Sequence, residues 1–571
     1  MEGRRATACD SAFVGAIVFL SFVAYVGELG FYSDDWDLLA KMAGARDTSF
    51  AGIFSSIDAP LVAMRPGQVA YFSLLFKAFG LNPFGYHVVN GIVLIALAIV
   101  CYMVLRGLGE SRAVAVSIAL VYSLSPNYST DRFWFAAFAH TLSMVLYGVS
   151  LYATLRSLRA ADRLAAGAWA TASAAALALS ALCFEVPLPF FLITAFVIWR
   201  APCRPVGEQR LDALRWARGV NLTSTLVTVG AMVAFKLATA RRFDSSTLPF
   251  SEQVANILSR AFDMKPAVAG SYGLNVRHAL EANFGEYGIR LPQTVATIAG
   301  DMATPALLFL CGFVLVLVFA YLYVVAGGPA KSMLRPAFHR HESARLMVVG
   351  IAVFGLGYAI FLTNSNIQFT PTGIGNRANI GAALGVALVL VSIAHTMSGL
   401  LPVRPWRTPA FCLLIAALCG SELLIDNAIA AHWVAAYRRE GEILASIHKR
   451  IPVLPPQSTV ILAGTCPYDG PAIVFESNWD LAGALRLMYG DATLNADVAT
   501  SHLEVDERGV TTMIYSVPKR YEFGESVILY DYDSNAVTRL TDSPTARAHL
   551  IPPNGNRDCP PGYEGLGSAA W

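Results

Sequence analysis

The chain opens with MEGRRATACDSAFVGAIVFLSFVAYVGELGF at residues 1–31 and passes without a break into GFYSDDWDLLAKM at 30–42. Arg4 and Arg5 precede a long apolar run, and Asp34, Asp35 and Asp37 crowd the place where that run gives out. The start has the form of a secretory signal, but no convincing small-x-small cleavage site stands before the acidic cluster. It therefore reads as a retained first transmembrane helix. Carboxylates at the depth of lipid headgroups are costly to desolvate, and anchoring a helix does not require them. The three aspartates need another reason.

The whole chain agrees with a membrane setting. Its 571 residues are 55% hydrophobic and 14% charged, with a mean hydropathy of +0.51, whereas soluble domains carry about 25% charged residues. A net charge of +2 and the absence of any RNA or DNA motif give no case for nucleic acid as a partner. The nine cysteines show neither a CxxC pair nor a Cys/His cluster at zinc spacing.

Apolar runs long enough to cross a bilayer, roughly 18 to 24 residues each, recur at 11–31, 86–107, 112–126, 133–155, 165–182, 184–200, 219–240, 303–326, 346–363, 377–398 and 409–430. The sequence thus predicts an α-helical polytopic membrane protein of about eleven spans. GQVAYFSLLFKAFG at 67–80 is too short and reads as an interfacial or partly buried helix. Basic residues fall in alternate connections: Arg4/Arg5, Arg106/Arg112, Arg156/Arg159/Arg163, Arg200 through Arg218, Lys331 through Arg345, and Arg404/Arg407. The positive-inside rule puts these in the cytoplasm, the N-terminus with them, and the C-terminus outside.

The outer face then collects FYSDDWD, MRPGQ, SPNYSTDRFW, FEVPLP, the loop 241–302, and NSNIQFTPTGIGNR, while residues 1–430 form one membrane domain. Residues 431–571 read as a small outer α/β domain. It begins with the amphipathic AHWVAAYRREGEILASIHKRI and the break PVLPPQ, then shows the strand-like runs STVILAG, PAIVFES, TTMIYSV and ESVILYDY and a helix-like WDLAGALRLMYG. Cys466 and Cys559 are its only cysteines, and an oxidising outer side is compatible with a disulfide between them.

Several outward residues could carry chemistry. Asp34 and Asp35 could simply cap and charge the start of a helix at Trp36, yet two adjacent aspartates flanked by Tyr32 and Trp36 also suit a sugar pocket with aromatic walls. Arg65, before Pro66, reads as an ion-pair or headgroup contact or as part of a site. Arg377 opens a helix in TPTGIGNRANIGAALG, where a cation opposes the helix dipole; beside Asn376 and the loop glycines it suits a phosphate. Glu185 is a partner for an outer arginine or a polar contact to substrate. Lys236, Arg241 and Arg242 end a span on the side where the positive-inside rule does not place them, which an outer anion would explain. Asp131 and Arg132 are adjacent and would neutralise each other. His87 and Asn90 read as packing or interhelical hydrogen-bonding residues. The spans look free of charge near their centres. Carboxylates that can deprotonate a hydroxyl, gathered with cations that can hold a departing phosphate, point to group transfer from a lipid phosphate.

A first span, an acidic pair, an RP, and then GLNPFGYHVVN entering the next span together resemble the GT-C glycosyltransferases, more narrowly the protein O-mannosyltransferases and lipid A aminoarabinose transferases. The resemblance follows motif order over about residues 10 to 200 and hydropathy beyond. It implies an inverting transfer from a polyprenyl-phosphate sugar to an acceptor outside the cytoplasm, with membrane lipids around the site. It implies Asp34 or Asp35 as base, Arg377 first and Arg65, Lys236 and Arg241 behind it at the donor phosphate, and Glu185, Trp36, Asn376 and His87 in support. The second Asp departs from the Asp-Glu pair of some members. No cofactor is implied; dependence on a divalent ion varies in the family, and two aspartates with no histidine nearby give a metal no support. A polyprenyl tail gains about 0.8 kcal/mol per buried CH₂, and no nucleotide-binding glycine loop follows a strand. The competing readings are a transporter or flippase of lipid-linked saccharides, which would favour mid-membrane ionisable residues and an internal repeat, and a non-catalytic cell-envelope scaffold.

Overall fold

The computed structural model describes residues 2–200, 208–243, 275–327, 340–363, 369–499, 503–514 and 517–550. Among them nine helices are long and apolar enough to span a bilayer, and Arg112–Leu124 and Leu188–Arg200 are shorter apolar helices. Two of the predicted spans, 112–126 and 184–200, are thus too short to cross alone: Ser125 and Pro126 end the first, and the turn at Phe184–Pro187 delays the second. The first helix, Glu2–Phe22, stops well before residue 31. Residues 23–33 instead run as turns and extended chain into the helix Asp34–Ala43. The expected non-spanning helix is present as Pro66–Phe79.

Local sequence explains where helices start. Asn82, Ser111, Asp162 and Thr304 stand just before helices, and each side chain accepts a hydrogen bond from a backbone N–H of the first turn, at Phe84, Val114, Ala165 and Leu307. Pro83 and Pro305 occupy the first helical position, where no N–H is needed.

The bundle packs Phe138–Ser157 against Arg163–Cys183 and Pro83–Leu108, and Pro305–Val325 against Arg404–Arg450. Arg340–Ala359 meets Ile380–Leu400 backbone to backbone: a Cβ on Gly357 would lie 2.3 Å from the Ala382 nitrogen, and one on Gly385 2.3 Å from the Phe354 nitrogen. Small residues one turn apart, Gly381 and Gly385, permit this approach, which in lipid replaces the missing hydrophobic drive with dispersion.

The last spanning helix and the amphipathic segment after it are one helix of 47 residues, Arg404–Arg450. At 1.5 Å per residue it is about 70 Å long, more than twice the ~30 Å hydrocarbon core, so it leaves the bundle and carries the C-terminal unit. Residue 430 falls inside it, and the first break is at Ile451. Beyond it Thr459–Ala463 pairs in parallel with Asn495–Val498 and Val527–Asp531, and Ala536–Arg539 adds an antiparallel edge. A second sheet joins Glu504–Val505, Gly509–Ile514 and Val517–Glu522. PAIVFES contributes only the two-residue strand Ala472–Ile473. Cys466 is disulfide-bonded; Cys559 lies outside the described residues.

The bundle has two unlike ends. At one, Arg112 pairs with Asp10 at 2.6 Å, Arg345 with Glu110 at 2.5 Å, and Arg163 with Asp212 at 2.6 Å. At the other sit the acidic loop and the C-terminal unit: Asp34–Ala43 packs on Asn478–Tyr489, where a Cβ on Gly483 would lie 2.4 Å from the Trp36 carbonyl carbon.

Gly385→Leu should force the two glycine-lined helices apart at a cost of about 1–3 kcal/mol. A lowered thermal midpoint of the detergent-solubilised protein is expected, and an unchanged midpoint would contradict the close packing.

Candidate active site

The three aspartates have three different environments. Asp35 is 0% exposed; one oxygen accepts the Tyr32 N–H at 2.9 Å and the other the Ala136 N–H at 2.8 Å. It ties the acidic loop to the turn before Phe138–Ser157, with burial pushing its carboxyl well up and these donors opposing. Asp37 is paired with Lys41 at 2.6 Å, and Lys41 also with Asp58 at 2.5 Å. Asp34 is partly exposed and faces Arg377, the strongest charge acting on it, with the Trp479 indole beside it. Burial raises the Asp34 carboxyl above its usual value, and Arg377 works against that rise.

The loop is held from the other side too. Ser33 has a φ of 46°, a region costly for a residue with a Cβ. Its hydroxyl donates to Glu476 of the C-terminal unit at 2.9 Å. Tyr32 donates its hydroxyl to the Trp433 carbonyl at 2.8 Å, and the Trp36 indole N–H donates to Glu440 at 3.2 Å. Trp36 therefore braces the loop against the long helix. His87 hydrogen-bonds the Gly30 carbonyl at 2.8 Å and packs on Phe138, and Asn90 donates to the Asp131 carbonyl at 3.0 Å, so both hold the backbone around the loop.

Arg377 lies over the Trp134 ring, 4.6 Å from its centroid. Among the described residues no carboxylate is within ion-pair reach of it. Gly373, at φ 73°, turns the chain into this segment. Asn376 is fully buried; it accepts the Thr130 N–H at 3.0 Å and donates to the Pro126 carbonyl at 3.1 Å. It fixes the arginine-bearing turn against residues 126–130 and does not face the site as a ligand.

A second cationic group centres on Glu185. Arg65 pairs with it at 3.0 Å and Lys236 at 2.6 Å, and Lys236 also caps the Met64 carbonyl. Burial pushes the Glu185 carboxyl up, but the charges of Arg65 and Lys236 outweigh this and hold it below the ordinary value. Two cations on one carboxylate leave an excess positive charge, a feature suited to an anion. The side chains of Arg241 and Arg242 lie outside the described residues.

Asp131, read from the sequence as part of a self-neutralising pair, and His140, which the sequence did not single out, join these halves. Asp131 and Arg132 do not neutralise each other: Arg132 turns inward to Asp426 at 3.2 Å, and Asp131 takes His140 at 2.8 Å. Successive residues of one short helical turn point in different directions, so adjacency did not make a pair. The His140 ring lies 3.7 Å from that of Phe184, which also carries the Arg65 guanidinium at 4.3 Å. The sequence signal was a polar, aromatic-rich stretch between two apolar runs, SPNYSTDRFWFAAFAHT, whose Asp and His close on each other once it folds back. Nor are the spans free of charge near their centres: Glu422 and Asp426 are buried within the spanning helix Arg404–Arg450. No group of three or more His, Cys, Asp or Glu side chains able to hold a metal occurs among the described residues.

No family model and no curated protein matches the chain. Among solved structures it is similar to ArnT from Cupriavidus metallidurans bound to undecaprenyl phosphate, at 17% identity and a TM-score of 0.37, over 83% of this chain and 84% of that one. The apo state of that ArnT gives 14% and 0.35 over 85% and 89%. The Archaeoglobus fulgidus oligosaccharyltransferase tethered to an acceptor peptide gives 13% and 0.34 over 80% of this chain and 61% of that one. At such values residue roles do not transfer.

Asp35→Asn puts an amide NH₂ against one of two backbone N–H donors in a dry site. A loss of about 1–3 kcal/mol is expected, seen as a lower thermal midpoint, whereas Asp34→Asn should leave the midpoint within a degree or two (roughly 0.5 kcal/mol, as for a side chain away from such bonds). Equal midpoints for wild type and Asp35→Asn would contradict the bracing role.

Proposed function

We propose that this protein is an integral-membrane glycosyltransferase that moves a sugar, with inversion, from a polyprenyl-phosphate donor to a hydroxyl acceptor on the outward side. The observation that carries this reading is Asp34, the one partly exposed aspartate of the acidic loop without an ion pair among the described residues, with Arg377 as the strongest charge acting on it. A raised carboxyl is a better base than an ordinary aspartate, and the charge of Arg377 works against that rise and so favours its ionised form. Asp34 takes the acceptor proton; the acceptor oxygen attacks the anomeric carbon from the side opposite the phosphate. The phosphate leaves toward Arg377, with Arg65 and Lys236 supplying further positive charge through the group on Glu185. Trp134 beneath Arg377 and Phe184 beneath Arg65 fix the two guanidinia without neutralising them.

The orientation that goes with this reading has the arginine-rich end of Arg112, Arg163 and Arg345 in the cytoplasm and the C-terminal unit outside. A donor anchored by its tail needs no nucleotide pocket and is concentrated by the membrane itself. Asp426 and Glu422 are the kind of intramembrane acids a transporter would use. Asp426, however, is consumed by Arg132 in a packed interior.

The test is transfer from a labelled polyprenyl-phosphate sugar by purified protein. Asp34→Asn should lower kcat about 10²–10⁴-fold with the fold intact; retention of activity within threefold (about 0.65 kcal/mol) removes the proposed base. The pH profile gives a second check. The base must be ionised, so the rate falls as pH drops through the Asp34 pKa, which lies above its usual 3.8. Arg377 lowers that pKa, so Arg377→Gln should move the acid limb to higher pH as well as weakening donor turnover; a limb that stays in place would contradict the facing of the two residues.

A further inference from the structure

We infer that His140 is a third donor to the departing phosphate, its Nε2–H filling the space between Arg377 and Arg65, with Asp131 as the residue that positions it. This rests on the transfer reaction proposed above and adds a catalytic residue to it.

The placement comes from the packing. His140 is 5% exposed, stands on the Phe184 ring that also carries Arg65, and feels both Arg377 and Arg65 as its charged neighbours. It is therefore the side chain that links the two cationic groups. Its Nδ1 is taken by Asp131 at 2.8 Å, and among the described residues its Nε2 has no hydrogen-bond partner. An imidazole nitrogen left open with two guanidinia as its charged neighbours is an unusual choice if the role is packing, since a phenylalanine would fill the same space without a polar atom to desolvate.

Proton counting decides what Nε2 offers. With Asp131 ionised and His140 neutral, Nδ1–H donates to Asp131 and Nε2 presents a lone pair, which repels phosphate. With one more proton the pair is neutral overall. That proton sits either on the imidazole or on the carboxyl, and in both arrangements Nε2 carries a hydrogen. Asp131 is 0% exposed and its second oxygen is buried with no hydrogen-bond partner among the described residues. Burial pushes its carboxyl well up, with Arg377 opposing. The neutral pair is what a dry pocket favours, and a phosphate entering between the arginines favours it further by cancelling their charge on the ring.

In the reaction the bond between the anomeric carbon and the phosphate oxygen breaks, its electron pair stays on that phosphate, and the acceptor oxygen takes its place on carbon. The acceptor proton goes to Asp34. The Nε2–H of His140 hydrogen-bonds to the phosphate as its charge grows and keeps its proton, so the histidine is unchanged at the end.

The experiment measures kcat and KM for wild type, His140→Phe and His140→Gln with the polyprenyl-phosphate sugar, alongside thermal midpoints. Loss of one preorganised donor is worth about 10²–10³-fold at most; with two arginines still present, His140→Phe should lower kcat by about tenfold or more. KM should change little. His140→Gln, which keeps an N–H near the position of Nε2, should recover part of that loss. Equal kcat in wild type and His140→Phe overturns the inference while leaving the transfer reaction standing, and so does an equal fall in the Phe and Gln variants. Absence of transfer by the wild type overturns the reaction and this inference with it.

Discussion

The end of the bundle that carries the acidic loop is organised by one buried carboxylate. Asp35, by accepting two backbone N–H groups from separate stretches of chain, holds the acidic loop to the re-entrant turn that follows Trp134. That bond pair helps to fix Asp34 relative to Arg377, which sits on the ring of the same Trp134 whose indole N–H donates to the Tyr32 carbonyl at 3.0 Å. The strained Ser33 and its bond to Glu476 show the same constraint from the far side: the loop is gripped between membrane bundle and C-terminal unit. A backbone held at φ 46° persists only where its surroundings over-determine it.

This grip explains why a carboxylate-rich segment can sit at the edge of a membrane. The desolvation cost of three aspartates is met by three separate means: backbone donors for Asp35, a lysine for Asp37, and the opposing arginine for Asp34. Only the third leaves a partly exposed carboxyl without an ion pair among the described residues. The C-terminal unit supplies Glu476 and Trp479 to this arrangement, and its helix Asn478–Tyr489 packs on the helix that Asp34 begins. Its part in the site is structural contact with the loop, a role its own sequence gave no sign of.

Much of the architecture was legible because hydropathy runs, caps and arginine placement are local signals. The long helices, the short one at 66–79, and the separation of charge into two ends follow from them. The first helix was read too long because residues 23–31 are mostly apolar; there the chain leaves the helix and buries Tyr25, Leu29 and Phe31 while Val23 stays exposed, a difference that hydropathy does not register. The join of the last span to the next helix was missed because the composition changes near residue 430 while the helix does not break. In the site, the acidic loop, Arg65, Glu185, Lys236 and Arg377 could be singled out, since charge beside an apolar run is visible in one dimension. The sequence also made Glu185 a partner for an outer arginine, which Arg65 is, but most other contacts were not visible. Arg132 looked outward and is buried on Asp426, and His140 looked like part of a span and has Arg377 and Arg65 as its charged neighbours. Pairings across many tens of residues are set by the tertiary fold, and nothing in local spacing records them.

The most direct measurement is an experimental map of the protein with polyprenyl phosphate bound. The phosphorus should lie between Arg377 and Arg65, on the Asp34 side of the Trp134 ring, with His140 at its edge. A phosphate seated at the Arg112 end of the bundle, or on its lipid-facing rim away from Asp34, would contradict the account.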